Sequence, residues 1–292
     1  KVSYAGVNGP DIAQRKGHYP PPPGASDIIG LEVSGHVAAV GEGVTQFAQG
    51  DTVCALTNGG GYADYCAVNA AHCMPVPESL TLLQAASLPE TYCTIWSNIV
   101  MTAGLRAGQT FLVHGGAGGL GTTATLLGKM IGATVIATDT PRARCDFIAS
   151  LGADRVIDYG QEDFVEIVRH DFGGADVILD VVGGDYFMRN LKVARHDGHI
   201  VQLAFARGSK LEADLMPIML KRLHYTGSTL RSRSDEQKAA ICAALVRDVW
   251  PRFREGKLTP VVRQVLPLDQ AAEAHRMMEA AGHVGKIMLS VG

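Results

Sequence analysis

Apolar residues over the first ninety positions fall in short alternating or clustered runs, and glycine or proline marks the breaks between them. Lys1–Val7 alternates, and Glu32–Val40 and Asp51–Leu56 are short apolar runs, so all three are predicted as strands. The alternating Tyr62–Val68 is predicted as a fourth, after the Gly59-Gly-Gly61 turn. Tyr19-Pro-Pro-Pro-Pro-Gly24 reads as an extended loop, because proline lacks the amide donor and fixes φ. From Leu82 the period changes, and Leu82–Leu88 and Thr94–Ala103 read as helical. Six strand candidates follow: Thr110–His114, Thr134–Thr138, Val156–Tyr159, Val177–Val182, His199–Ala204 and Tyr225–Thr229. They alternate with helical segments such as Leu120–Ile131 and Pro141–Leu151. Short apolar strands alternating with helices predict a parallel sheet covered on both faces. The tail reads as a long amphipathic helix over roughly Asp235–Glu255, a strand Val261–Pro267, a helix from Leu268 to about Ala281, and a last strand Lys286–Val291. The expected architecture is a β-rich segment, a doubly wound α/β domain and an α+β tail.

Length and composition narrow the class. At 292 residues two domains are the natural expectation, and 47% apolar with 19% charged residues is enough to bury two cores. A formal charge of −3 gives no electrostatic case for nucleic acid or anionic membrane as the main partner. No apolar stretch approaches the roughly 20 residues of a membrane span. The six cysteines contain no Cys-x-x-Cys pair, so they read as reduced thiols of a cytoplasmic protein and exclude zinc ribbons and disulfide scaffolds. Lys1 is not an initiator methionine, and any leader is expected outside the given sequence.

The sharpest chemical signal is His114-Gly-Gly-Ala-Gly-Gly-Leu-Gly-Thr122, placed directly after a predicted strand and directly before a predicted helix. Its Gly116-x-Gly118-x-x-Gly121 supplies a tight turn, close backbone approach to a pyrophosphate, and close helix–strand packing. The helix N-terminus adds unpaired amides and the positive end of a dipole. Gly115, Gly116, Ala117, Gly118, Gly119, Leu120 and Gly121 are therefore predicted to cradle a dinucleotide. Asp139, at the end of the next strand, can accept from ribose hydroxyls and favours NADH, whereas Arg142 and Arg144 can meet a 2′-phosphate or lie as solvated surface. Tyr159 closes the third strand, either beside the adenosine or packed on the surface. The expected cofactor is NADH or NADPH. A serine hydrolase is excluded, since the one strand–helix elbow of that kind carries no serine.

Two early segments carry a resemblance. Asn8-Gly-Pro-Asp11 and Gly30-Leu-Glu-Val-Ser-Gly35 have the spacing of medium-chain alcohol dehydrogenases, whose zinc-dependent members place Cys-x-x-Asp and Gly-His-Glu-x-x-Gly there. Here the cysteine position is Asn8, the histidine position is Leu31, and a third family cysteine falls near Glu90. Catalytic zinc needs three protein ligands and an open position, so no metal is expected. The motifs Val7–Asp11, Gly17–Ala25, Gly30–His36, Val113–Gly121, Leu179–Gly184, Thr229–Arg233 and Gly285-Lys-Ile287 resemble the zinc-free quinone oxidoreductase (zeta-crystallin-like) branch of the medium-chain dehydrogenase/reductase superfamily. The match runs end to end.

That resemblance implies a GroES-like β-barrel substrate domain over 1–93 and 231–292 and a Rossmann cofactor domain over 94–230, with the barrel's first strands falling before Val2. It implies NADPH, while Thr138-Asp-Thr-Pro141 departs from the family's small residue at that place. It further implies cofactor contacts at Phe205, Arg231 and Lys286, with a solvated loop as the competing reading for Arg231. The expected reaction is hydride transfer from NAD(P)H to a quinone in an interdomain cleft. A quinone is electron-poor enough to be reduced without a Lewis acid, given correct positioning. Tyr19 is the candidate for hydrogen bonding to the acceptor oxygen, against a tyrosine packed on prolines. Asn8 and Asp11 are candidate cleft residues, against simple turn chemistry. The alternatives are an enone or alkene reductase and a non-enzymatic, crystallin-like NAD(P)H-binding protein. A homodimer through the edge of the Rossmann sheet at Tyr225–Thr229 is implied as well.

Overall fold

Four short strands open the chain in the computed structural model, which describes residues 1–280 and 282–292. These are β1 (Val2–Val7), β2 (Glu32–His36), β3 (Thr52–Leu56) and β4 (Cys73–Pro75), paired antiparallel in that order. Helix α1 (Gly9–Arg15) follows β1 directly: the Asn8 N–H donates to Asp11 Oδ2 at 2.8 Å, so the Asn-x-x-Asp spacing is half of a capping box. Two further short helices, α2 (Leu82–Ala85) and α3 (Pro89–Ile95), lead into a π-helical turn over Trp96–Thr102.

The middle of the chain forms a six-stranded, wholly parallel sheet. Its strands are β5 (Thr110–His114), β6 (Thr134–Asp139), β7 (Arg155–Asp158), β8 (Ala175–Asp180), β9 (Ala194–Gln202) and β10 (His224–Gly227), in the spatial order β10-β9-β8-β5-β6-β7. Helices α4 (Gly119–Ile131), α5 (Arg142–Ser150), α6 (Phe164–Phe172), α7 (Tyr186–Val193) and α8 (Met216–Lys221) make the crossovers. Leu112, Ile136, Ile178 and Ile200 on the strands pack with Phe164 and Leu191 in one core, the burial expected of a doubly wound sheet. The chain builds outward through β5, β6 and β7 in one direction and through β8, β9 and β10 in the other, so the carboxyl ends of β5 and β8 flank the switch point where such sheets bind ligands.

The tail contributes α9 (Asp235–Asp248), α10 (Trp250–Arg254), β11 (Val262–Pro267), α11 (Ala271–Glu279) and β12 (Lys286–Ser290). Strands β11 and β12 join the first sheet, in the order β11-β12-β1-β2-β3-β4, around a core of Val7, Val33, Ala55, Ile287 and Leu289. The chain thus divides into two units, Lys1–Thr94 with Leu230–Gly292, and Ile95–Thr229. Among the described residues no helix is long and apolar enough to cross a membrane.

Three expectations are corrected. Tyr62–Val68 is not a strand: the Tyr62 N–H is taken by Ile29 O, and Gly61 packs against Gly30. Its alternation reflects one side facing the core of the first sheet, where Tyr62, Cys66 and Val68 pack. The long helix breaks at Val249, because Pro251 has no N–H for Arg247 and its ring crowds that carbonyl. The helix expected to reach Ala281 ends at Glu279, and Ala281 lies outside the described residues.

Candidate active site

In the Rossmann unit, β5 runs straight into the glycine bend and α4. The bend is tied to its neighbours by backbone: Gly115 and Gly116 N–H both donate to Thr138 O at 3.1 Å. Gly115 sits at φ +71°, a left-handed conformation that glycine adopts without strain. Gly121 is required for a different reason, since a Cβ there would lie 2.2 Å from Gly115 O and 2.6 Å from Gly116 Cα. That contact seats α4 directly on the bend. Gly118 is the N-cap and has no side chain to satisfy the first-turn amides of α4, which leaves them for an anionic ligand.

Asp139 is buried at the end of β6. Its carboxylate accepts from Ala117 N–H (2.8 Å) and Thr140 N–H (2.8 Å) and is ion-paired to Arg144, whose Nε lies 2.8 Å from Oδ1. Asp139 and Arg144 are therefore brought to the bend together. Arg142 is exposed and pairs with Asp146, one turn along α5. Tyr159 and Phe205 are both exposed on the same unit. A network that the sequence reading missed stiffens the site from below: His114 shares a hydrogen bond with Asn190 Oδ1 (2.8 Å), and Asn190 Nδ2 donates to Asp180 Oδ2 (2.9 Å). Asp180 Oδ1 in turn accepts from Val182 and Gly183 N–H, holding the loop that follows β8. Burial pushes the His114 pKa down, so the imidazole is neutral and serves as a structural bridge.

In the GroES-like unit, Asn8 and Glu90, at two of the zinc-ligand positions, belong to a buried polar cluster with Glu32 and Lys286. The Lys286 ammonium lies 2.5 Å from Glu32 Oε1 and also donates to Asn8 Oδ1 at 2.5 Å. Asn8 Nδ2 donates to the same Glu32 oxygen (2.9 Å), and Glu90 N–H donates to Glu32 Oε2 (2.9 Å). Glu32 fits only because β1 carries a glycine: a Cβ at Gly6 would lie 2.0 Å from Glu32 Oε1. Asp11 accepts from the Tyr62 hydroxyl at 3.2 Å, and that hydroxyl also meets His275 Nε2 at 3.2 Å. Burial pushes the Asp11 carboxyl up to about 7 and the Glu90 carboxyl up to about 8, with Lys286 opposing both shifts. These donors do not fit a catalytic zinc. Leu31 is a core residue without a donor atom, and Glu32 and Asn8 are both spent on an ammonium. Among the described residues no three His, Cys, Asp or Glu side chains are grouped to hold a metal.

The remaining candidates are also placed. Lys286 belongs to this cluster, where its ammonium is engaged by Glu32, Asn8 and Val7 O. Arg231 donates to Asn58 O, Gln14 Oε1 and Tyr19 O, and its guanidinium stands 5.5 Å over the half-buried Tyr19 ring. Tyr19, Asn8, Asp11, Arg231 and Lys286 thus share one unit, and the glycine bend, Asp139, Arg144, Tyr159 and Phe205 share the other.

A phosphate-binding glycine bend at the switch point of a doubly wound sheet, carried on one chain with a second, mainly antiparallel six-stranded unit, defines a two-unit nicotinamide-dependent oxidoreductase. A profile described as an alcohol dehydrogenase GroES-like domain matches residues 1–78, and one described as a zinc-binding dehydrogenase matches 151–289. The chain is 30% identical to the quinone oxidoreductase-like protein 2 homolog of Nematostella vectensis, over 99% of this chain and 80% of that one. It is 32% identical to polyketide synthase GfsB of Streptomyces halstedii, of which it spans 5%. Escherichia coli quinone oxidoreductase complexed with NADPH superposes with a TM-score of 0.88 at 26% identity, covering 99% of this chain and 90% of that one. The chain belongs to the medium-chain dehydrogenase/reductase superfamily, with quinone oxidoreductases among its homologues, and is an NAD(P)H-dependent oxidoreductase.

Proposed function

We propose that this enzyme transfers a hydride from NAD(P)H to a quinone without zinc. The observation that carries this reading is the Lys286–Glu32–Asn8 cluster, in which an ammonium engages Asn8, the residue at one of the zinc-ligand positions. With no metal to polarise a plain carbonyl, the acceptor must be reactive on its own, and a quinone is. The bound nicotinamide supplies the hydride, and aromatisation of the ring drives its transfer. The first-turn amides of α4 and the glycine bend hold the pyrophosphate. The Asp139 oxygens are already taken by Ala117 N–H, Thr140 N–H and Arg144, so the adenosine end of either coenzyme falls to Arg144, whose guanidinium beside the bend offsets the charge that would repel a 2′-phosphate.

Tyr19 hydrogen-bonds the acceptor oxygen in this reading, with its ring held under Arg231. Tyr19→Phe is expected to lower quinone turnover about tenfold or more while leaving the coenzyme dissociation constant unchanged. Unchanged turnover would remove Tyr19 from the reaction. The same assay run in parallel on a naphthoquinone and a small α,β-unsaturated ketone decides between quinone and enone reduction. Coenzyme binding with no oxidation by either acceptor would make the protein a binder.

We also propose a homodimer through the outer edge of β10, which pairs with β9 on its inner side and exposes Tyr225. Pairing across a two-fold axis would cover an edge otherwise open to aggregation. Sedimentation at micromolar concentration is expected to give twice the chain mass, and a monomer would refute the arrangement.

A further inference from the structure

A concavity within the GroES-like unit lies apart from the residues of the cluster around Glu32. It encloses about 840 Å³ between the proline loop at Pro22–Ser26, the turn at Asn58–Gly60, and the segment leading into α9. Its lining carries three cations, Arg231, Arg233 and Lys238, and one carboxylate, Asp235.

Two of these cations are buried, and everything they touch is neutral. Lys238 is 2% exposed, and its ammonium donates to Asn58 Oδ1 (2.9 Å) and Arg231 O (2.8 Å). Arg231 is 5% exposed and donates to carbonyl and amide oxygens alone. Among the described residues neither forms an ion pair with a carboxylate. Burial accordingly pushes both pKa values down. Arg233 adds a buried Nε with no hydrogen-bond partner. Asp235 does not cancel this charge, because it is exposed and turned to His72 (3.8 Å) and Asn69 (3.4 Å). The other acids that act on these cations, Asp11 and Glu90, are those whose burial keeps them protonated up to about 7 and about 8. Desolvated cations without counter-charges are costly, and an anion that enters the cavity relieves that cost in a medium where Coulombic attraction is strong. The N-terminus of α9, capped by Ser234 on the same wall, adds to the field.

The cavity is joined to the proposed acceptor side of the unit. Pro22 lies three residues beyond Tyr19, and Arg231 binds the Tyr19 carbonyl while covering its ring. We propose that this cavity is an oxoanion pocket that takes a carboxylate, sulfonate or phosphate carried by the acceptor, so that the enzyme selects conjugated carbonyl compounds bearing a negative charge. The assignment of the anion to the acceptor rests on the reading of Tyr19 given above. The volume suits it, since a quinone ring alone leaves much of such a cavity empty, and sites of this size hold larger ligands.

The test begins without coenzyme or turnover. Naphthalene-2-sulfonate, which cannot be reduced, is titrated calorimetrically against the intact protein beside neutral 2-methylnaphthalene. The sulfonate is expected to bind at one site, to weaken as salt rises, and to bind about tenfold less tightly to Arg233→Ala, with Arg233→Lys restoring most of the loss. An Arg233→Ala protein that binds the sulfonate as the wild type does would overturn the proposal. Adenosine 2′,5′-bisphosphate is then added as a competitor: displacement of the sulfonate one for one would give the pocket to the coenzyme, and no displacement supports the acceptor. Finally, the ratio of kcat/KM for naphthoquinone sulfonate over naphthoquinone is expected to fall about tenfold in Arg233→Ala, through KM. Arg233-dependent sulfonate binding in a protein that reduces neither quinone would uphold the pocket and refute the quinone reading.

Discussion

Replacing Gly121 by valine is expected to weaken NAD(P)H binding at least about a hundredfold, through the loss of two or more charge-assisted backbone contacts to the pyrophosphate. The reason is steric and local. A Cβ at this position meets Gly115 O at 2.2 Å and the Gly116 backbone at 2.6 Å, and backbone atoms cannot swing aside as a flexible side chain can. Either α4 lifts off the bend or the bend opens, and both misplace the amides that face the phosphates. The hydrophobic core beneath, built on Leu112, Ile136 and Ile178, lies away from the contact and is expected to keep the unit folded. Coenzyme fluorescence titration measures the effect, with circular dichroism as the control for folding. A dissociation constant within threefold of wild type would mean that the coenzyme phosphates are held elsewhere.

That prediction was accessible from sequence because the bend is written in consecutive residues. Strand, glycines and helix follow one another along His114–Ile131, and the spacing alone specifies which glycine packs against which. Asp139 was placed correctly at the end of the second parallel strand for the same reason, since period and length decide where a strand ends. What the sequence concealed is built by contacts between distant residues. Lys286 and Asn8 are 278 positions apart, and Tyr62 and His275 are 213 apart, so no local pattern links them. Their burial cannot be read from residue type either, because lysine and aspartate are usually exposed. One local signal was available: Asn8-x-x-Asp11 is a capping spacing, and it marks the start of α1 rather than a turn alone. Alternation misled at Tyr62–Val68, where the partner that would make a strand is replaced by the Gly30 loop.

The buried cluster makes a second, larger demand on the molecule. Asp11, Glu32 and Glu90 are three carboxyl groups around one ammonium, and three such charges are not sustained together out of water. Burial, the leading cause for both, raises Asp11 from 3.8 to about 7 and Glu90 from 4.5 to about 8. The folded chain therefore holds two protons over a pH range in which the unfolded chain has released them. By linkage, the stability these groups confer is full below the unfolded values and is lost as pH rises, ending near 7 for Asp11 and near 8 for Glu90. Each pH unit within the window is worth about 1.4 kcal/mol per group, so these two groups are expected to withdraw several kcal/mol between mildly acidic and mildly basic solution. The buried His114, His199 and His275, held below 6.5 by burial, instead add stability as pH rises to that value. Surface carboxylates do not mask this, because a group such as Glu279, lowered to about 2 by Lys16 and Arg15, titrates below the window. Glu90→Gln keeps the shape and removes the proton exchange, so its stability curve is expected to be shallower by about 1.4 kcal/mol per pH unit up to the Glu90 pKa, with the remaining slope ending near that of Asp11. Urea unfolding of the two proteins across this range measures the difference. Parallel curves would mean that Glu90 ionises in the folded chain as it does in the unfolded one.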